Sequence, residues 1–145
     1  MVLLRDDGSP DRAVMPGALP GIAAVPVFDI DILMRTAAGD RVLASELMSL
    51  FITTAEPIFS RLTEALQAGD CAASQHESHA MAGAAGLIGA SAMIPILKEI
   101  EALSLQRCFQ ASADLLPELA LAFASVIVAV TQALQDSDAA GRTPL

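Results

Sequence analysis

The feature that most constrains the fold is an amphipathic pattern over residues 40–69. Apolar residues recur there at intervals of three and four, at Leu43, Leu47, Leu50, Phe51, Ile58, Leu62 and Leu66. This spacing gives an α-helix one apolar face, whereas a strand needs strict alternation. The carboxylate of Asp40 suits a helix start, and Gly69 suits the left-handed residue that ends a helix. The pattern therefore predicts one long helix that buries its apolar face against others.

Similar start and stop signals bound the rest of the chain. Aspartates cap and glycines end the segments that precede and follow the long helix, while Ser91 and Pro117 stand near the starts of two more. The predicted segments are 29–39, 70–89, 92–107 and 113–134. Short connections make neighbouring helices antiparallel. We therefore expect an all-α fold, an antiparallel up-down four-helix bundle with an additional short N-terminal helix.

The two ends of the chain lack this periodicity. Residues 1–27 contain four prolines and three glycines, which indicates a flexible tail. Residues 137–145 are polar, and we expect a frayed C-terminal tail. The bundle is therefore expected to span residues 28–136, which is enough to bury its own core as a monomer.

Composition narrows the functions. Hydrophobic residues make up 54% of the chain, aromatic residues only 3%, and the formal net charge is −9. Nucleic acid is excluded as a partner, because backbone binding needs clustered Lys and Arg and single strands need stacking aromatics. Cys71 and Cys108 fit no metal-ligand pattern and are expected to be reduced, buried thiols. Reduced thiols and an N-terminus without a signal-peptide pattern together predict a cytoplasmic protein.

One segment imitates a membrane span. Residues 119–134 carry no charge, but the run is shorter than the ~20 residues that a spanning helix needs. It also contains Ser125, Thr131 and Gln132. We therefore expect a buried bundle helix and no membrane insertion.

The segment of greatest chemical interest holds both histidines of the chain. At about 100° per residue, His79 falls opposite the core-facing Met81 and Ala85. Its side of the helix also carries Gln75, His76, Ala82, Gly83 and Gly86. Glycine within a helix costs ~1 kcal/mol relative to alanine, so these glycines need a reason. Either they leave the imidazole open to another molecule, or they let helices pack closely beside an ordinary solvated histidine.

These residues resemble the signature of the histidine-containing phosphotransfer (HPt) domains of bacterial phosphorelays. That signature is a histidine, a lysine three residues later, then glycine, small residues and a second glycine; here it stands as His79, Ala82, Gly83 and Gly86. The resemblance extends over about residues 27–134 and includes the hydrophobic–acidic pair at residues 100–101. Two positions depart from the family: Ala82 replaces the lysine, and Leu105 replaces a frequent arginine.

The resemblance implies a phosphocarrier rather than an enzyme. His79 would accept a phosphoryl group from the phospho-aspartate of a receiver domain and pass it to another receiver. The docking positions would be Gln75, His76, Ala82, Gly83 and Gly86. The partners would be response-regulator receivers or a hybrid histidine kinase, with no cofactor here and the metal ion on the receiver.

Two alternatives remain. Because Ala82 replaces the lysine of the signature, the chain could be a docking module that binds receiver or kinase domains without accepting phosphate. The spacing of His76 and His79 is compatible with a metal site, but these two residues, with or without Cys71, are too few ligands.

Overall fold

A computed structural model describes residues 26–141, and its regular elements in that range are all α-helices. They are α1 (Ile30–Thr36), α2 (Arg41–Ala68), α3 (Cys71–Ile88), α4 (Ile94–Leu105), α5 (Phe109–Asp114) and α6 (Leu116–Gly141). The predicted all-α class is confirmed. Helix α2 packs on α3 and on α6, α3 packs on α4, and α4 also contacts α6. The four long helices thus enclose one core, and α1 is the additional short helix near the N-terminus.

The predicted caps of the first three helices are confirmed. The Asp29 carboxylate accepts from the Asp31 N–H, Asp40 accepts from the N–H groups of Val42 and Leu43, and Asp70 accepts from Ala73. These bonds satisfy N–H groups that lack partners within the helix. Gly69 ends α2 with φ 71° and Gly89 ends α3 with φ 85°.

The predicted starts of the later helices are less accurate. Ser91 does not cap α4, which begins at Ile94 with no side-chain cap bond. The turn before α4 is instead stabilised by residues far away in the sequence. The Asp29 N–H donates to the Gly89 carbonyl, and the Ala92 N–H donates to the Val27 carbonyl. Pro95 falls in the first turn of α4, where a backbone N–H would have no partner within the helix.

The helix predicted over 113–134 starts a few residues later than expected, and a short helix that the sequence did not predict precedes it. A short α5 precedes Leu115, and α6 starts at Leu116 with Pro117 in its first turn. Proline cannot donate a bond to the preceding turn, so the chain restarts there. At the other end, α6 continues to Gly141, past the expected end and into residues expected to fray. A hydrogen bond that the Gln132 side-chain amide donates to the Asp136 carboxylate (3.1 Å) and a hydrogen bond between the hydroxyls of Ser45 and Ser137 (2.9 Å) support this extension.

The core is aliphatic, as the shortage of aromatic residues required. Its fully buried large side chains come from every long helix, from the short α1 and from the turn before α4: Leu33, Leu62, Met81, Met93, Leu97, Ile100, Leu119, Val126 and Val130. Phe59 of α2 and Phe123 of α6 stack with ring centroids 4.7 Å apart. This core fixes the relative positions of α3 and α4, on which the candidate site depends.

Two smaller expectations meet the structure differently. Both cysteines are free, but Cys108 is exposed and Cys71 half-buried, so the prediction of buried thiols is wrong. Cys108 lies in the turn before α5, outside the core helices. The tail predicted over residues 1–27 falls almost wholly outside the described residues.

Candidate functional site

The geometry around His79 joins two helices. The imidazole Nδ1 of His79 on α3 lies 2.9 Å from Glu101 Oε2 on α4. The His79 side chain is 74% exposed, whereas the Glu101 side chain is only 21% exposed. A half-buried carboxylate therefore holds an imidazole that otherwise projects into solvent.

This contact sets which ring nitrogen can react. A carboxylate accepts hydrogen bonds, so Nδ1 carries the proton, and its N–H donates a hydrogen bond to Glu101. In the neutral ring, Nε2 then holds the free lone pair. Nε2 has no hydrogen-bond partner within residues 26–141. The site presents one oriented nucleophilic nitrogen to water.

The surface beside the ring is free of bulk. Gly83 and Gly86 are exposed, and a Cβ added to either would meet no atom of another element within 4 Å. Close packing of helices therefore does not explain these glycines, which removes that interpretation. The small residues leave room for a molecule approaching Nε2.

The other predicted site residues occupy different depths. His76 is exposed and makes no hydrogen bond in the described range, whereas Gln75 is half-buried. Ala82 is also half-buried and packs against the core. Ala82 thus lies between the exposed surface at Gly83 and Gly86 and the core of the bundle.

Sequence reasoning matched Glu101 to the family without giving it a role. The signal was the hydrophobic–acidic pair: Ile100 is fully buried, which turns its neighbour Glu101 to the flank of α4 that faces His79. Contact between residues on separate helices depends on helix register, which periodicity does not reveal. A second acidic residue, Glu77, lies on the core side of α3, where it is 14% exposed and pairs with Arg61 of α2 at 3.1 Å.

The described residues offer no metal site but do include two long apolar stretches. No group of three or more His, Cys, Asp or Glu side chains in the described part of the chain is arranged to hold a metal ion. Two stretches, Arg41–Ala68 and Phe109–Ala139, are long and apolar enough to cross a membrane by length and composition alone. The core helices of a bundle pass the same test, so this is weak evidence.

Comparison with known proteins points one way. A family model described as Hpt domain matches residues 46–140. Histidine-containing phosphotransfer protein B (HptB) from Pseudomonas aeruginosa PAO1 has a similar structure, with TM-score 0.72 and 26% identity over 78% of this chain and 98% of that one. The HPT domain of an Hpt sensor hybrid histidine kinase from Shewanella is similar in fold, with TM-score 0.69 and 21% identity over 76% of this chain and 95% of that one. Comparison with curated proteins gives no significant match.

Proposed function

We propose a specific role on the premise that this chain belongs to the Hpt domain family, which carries phosphoryl groups in phosphorelays. His79 accepts a phosphoryl group from the phospho-aspartate of one receiver domain and passes it to the aspartate of another. The observation that carries this proposal is the exposed imidazole whose Nδ1 is held at 2.9 Å by Glu101.

The chemistry follows from that contact. The Nε2 lone pair forms a bond to phosphorus, the bond between phosphorus and the aspartyl oxygen breaks, and its electrons return to the receiver carboxylate. The ring becomes positively charged while Nδ1 keeps its proton, and the adjacent Glu101 carboxylate stabilises that charge, as a carboxylate does for a catalytic imidazole. Reversal of these steps on a second receiver restores the neutral ring.

The remaining requirements fall on the partner. Phosphoryl transfer depends mainly on positioning and charge stabilisation. We propose that the receiver brings both its metal ion and its aspartate, and that this chain works as a cytoplasmic monomer without a cofactor or catalytic machinery of its own. The docking surface comprises Gln75, His76, Ala82, Gly83 and Gly86, around His79.

Transfer of radiolabelled phosphate tests the proposal. Receiver domains phosphorylated with a small acyl phosphate are mixed with the wild-type chain and with the His79→Gln and His76→Gln variants. We expect acid-labile label on the wild type and on the His76 variant, and none on the His79 variant. Label that persists without His79 would assign the acceptor elsewhere.

The same mixture distinguishes the docking module. If receivers bind the chain but none transfers label to it, the protein is a docking module, consistent with the absence of lysine at Ala82. Binding is measured by calorimetry with the unphosphorylated receiver, so that docking and transfer are scored separately.

A further inference from the structure

Among the residues that the structure describes, no Lys or Arg side chain makes a contact with His79, where the phosphoryl group would be attached. A phosphoryl group on Nε2 adds negative charge to a chain whose formal net charge is already −9. Ala82, where the family usually has a lysine, is half-buried and uncharged. If the proposed function holds, on which this inference rests, the charge needs compensation from another element.

Lys98 is the candidate. It is the single lysine in the sequence, and it lies on α4, three residues before Glu101. Its side chain is exposed and has no hydrogen bond or ion pair within the part of the chain that the structure describes. An ammonium group without an internal partner is available to an anion.

Helix register places Lys98 beside the site. The His79–Glu101 contact joins the middles of α3 and α4, and only residues 89–93 connect the two helices, so they run antiparallel. Three residues forward from His79 lead to Ala82, while three residues back from Glu101 lead to Lys98. Each step advances about 4.5 Å along its helix in the same direction in space. Lys98 therefore lies within about one turn of the level of Ala82.

The rotation of α4 supports the same placement. Leu97 and Ile100 are fully buried, and Glu101 lies at the flank that faces α3. Lys98 is about 60° further round from Glu101, on the side away from Leu97 and Ile100. This is the outer edge of the face that borders α3, and an exposed, flexible lysine side chain is long enough to extend from there toward His79.

We infer that Lys98 on α4 supplies the cation that other members of the family supply from α3 at the position of Ala82. Its ammonium group pairs with the phosphoryl oxygens during transfer to and from Nε2. The positive charge has moved from one helix of the pair to the other, and the half-buried Ala82 position is left free to pack against the core.

Phosphorylation with phosphoramidate tests this inference without a receiver. This small anionic donor transfers its phosphoryl group to accessible imidazoles. The initial rate of His79 labelling is compared between the wild type, Lys98→Met, Lys98→Arg and the double variant Lys98→Met/Ala82→Lys. Arg41→Met is the matched control, because it removes one positive charge from a site that borders α6 rather than α3 and α4.

We expect Lys98→Met to slow labelling about fivefold, the scale of one exposed charge pair. Lys98→Arg and the double variant should label near the wild-type rate, and Arg41→Met should match it. The difference should shrink with added salt, since exposed charges are screened. Equal rates for the wild type and Lys98→Met would overturn the inference, whereas absence of transfer from any receiver would overturn the proposed function instead.

Discussion

At the scale of single residues, the proposed reactivity of His79 depends on its hydrogen bond to Glu101. The Glu101 carboxylate fixes the ring orientation and the tautomer of His79, and it lies beside the ring that would become positively charged in the proposed transfer. A freely rotating imidazole would present either nitrogen. In the proposed transfer Glu101 is a positioning residue, because it contacts His79 and would act on the phosphoryl group only through that ring.

Substitution of Glu101 should separate orientation from charge. We expect Glu101→Ala to slow phosphorylation of His79 about tenfold, which is the lower end of the effects seen for carboxylates that orient metal-bound histidines. Glu101→Gln should slow it less, because the amide oxygen still accepts from Nδ1–H. Labelling with phosphoramidate measures the rates, and nitrogen-15 NMR of the ring reports the tautomer.

The exposed Glu99, on the same helix, provides the control. Glu99→Ala removes one carboxylate from α4 without touching His79, so its labelling rate and ring tautomer should match the wild type. An Nδ1-protonated ring that persists unchanged in Glu101→Ala would contradict the positioning role.

At the scale of helices, the ends of α3 show what local sequence can predict. Asp70 and Gly89 were identified correctly because capping depends on neighbouring residues. The start of α4 was misplaced because its turn is held by Val27 and Asp29, far away in the sequence. The short helix α5 is missed by the sequence pattern because six residues carry too few apolar positions to show a period of their own.

The glycines of α3 should respond oppositely to the same substitution. Gly89 has φ +85°, and a Cβ there would collide with the backbone carbonyl of Asp29, so we expect Gly89→Ala to lower the free energy of unfolding by more than ~1 kcal/mol. Gly86→Ala meets open space within a helix and should raise it by up to ~1 kcal/mol. Urea unfolding measures both. Equal changes would refute the assignment of Gly89 as a structural cap and Gly86 as an open surface position.

Bulk on α3 should block the partner while leaving the imidazole reactive. We expect Gly83→Leu to reduce transfer from a phosphorylated receiver at least tenfold, since a small displacement from the reactive geometry is costly. Labelling by phosphoramidate should change little. Ala124→Leu, at an exposed position on α6, is the matched control and should leave both rates unchanged. Unimpaired transfer in Gly83→Leu would place the docking surface elsewhere.

At the scale of the whole molecule, the apolar spacing predicted the fold class, and composition explains the type of core. With few aromatics, only interlocked aliphatic side chains could fill the interior, and Met81, Met93 and Leu97 do so. The site was predictable only in part. The side of α3 that carries His79 follows from periodicity, whereas its partner Glu101 follows from how α3 and α4 are packed.

The molecule should behave as a soluble monomer despite its two apolar helices. We expect light scattering after gel filtration without detergent to give a mass near 15.0 kDa. The enclosed core and the net charge of −9 favour this state. A dimer would contradict the expectation and would point to the exposed Leu121 and Val128 of α6 as the interface.

Heteronuclear NMR of the chain after transfer from a phosphorylated receiver tests the central claim most directly, because it identifies the atom that carries phosphorus. Since Glu101 occupies Nδ1, the account predicts a single phosphohistidine, at Nε2 of His79, that disappears when a second, unphosphorylated receiver is added. Phosphorus on Nδ1 of His79, or on His76, would contradict the account.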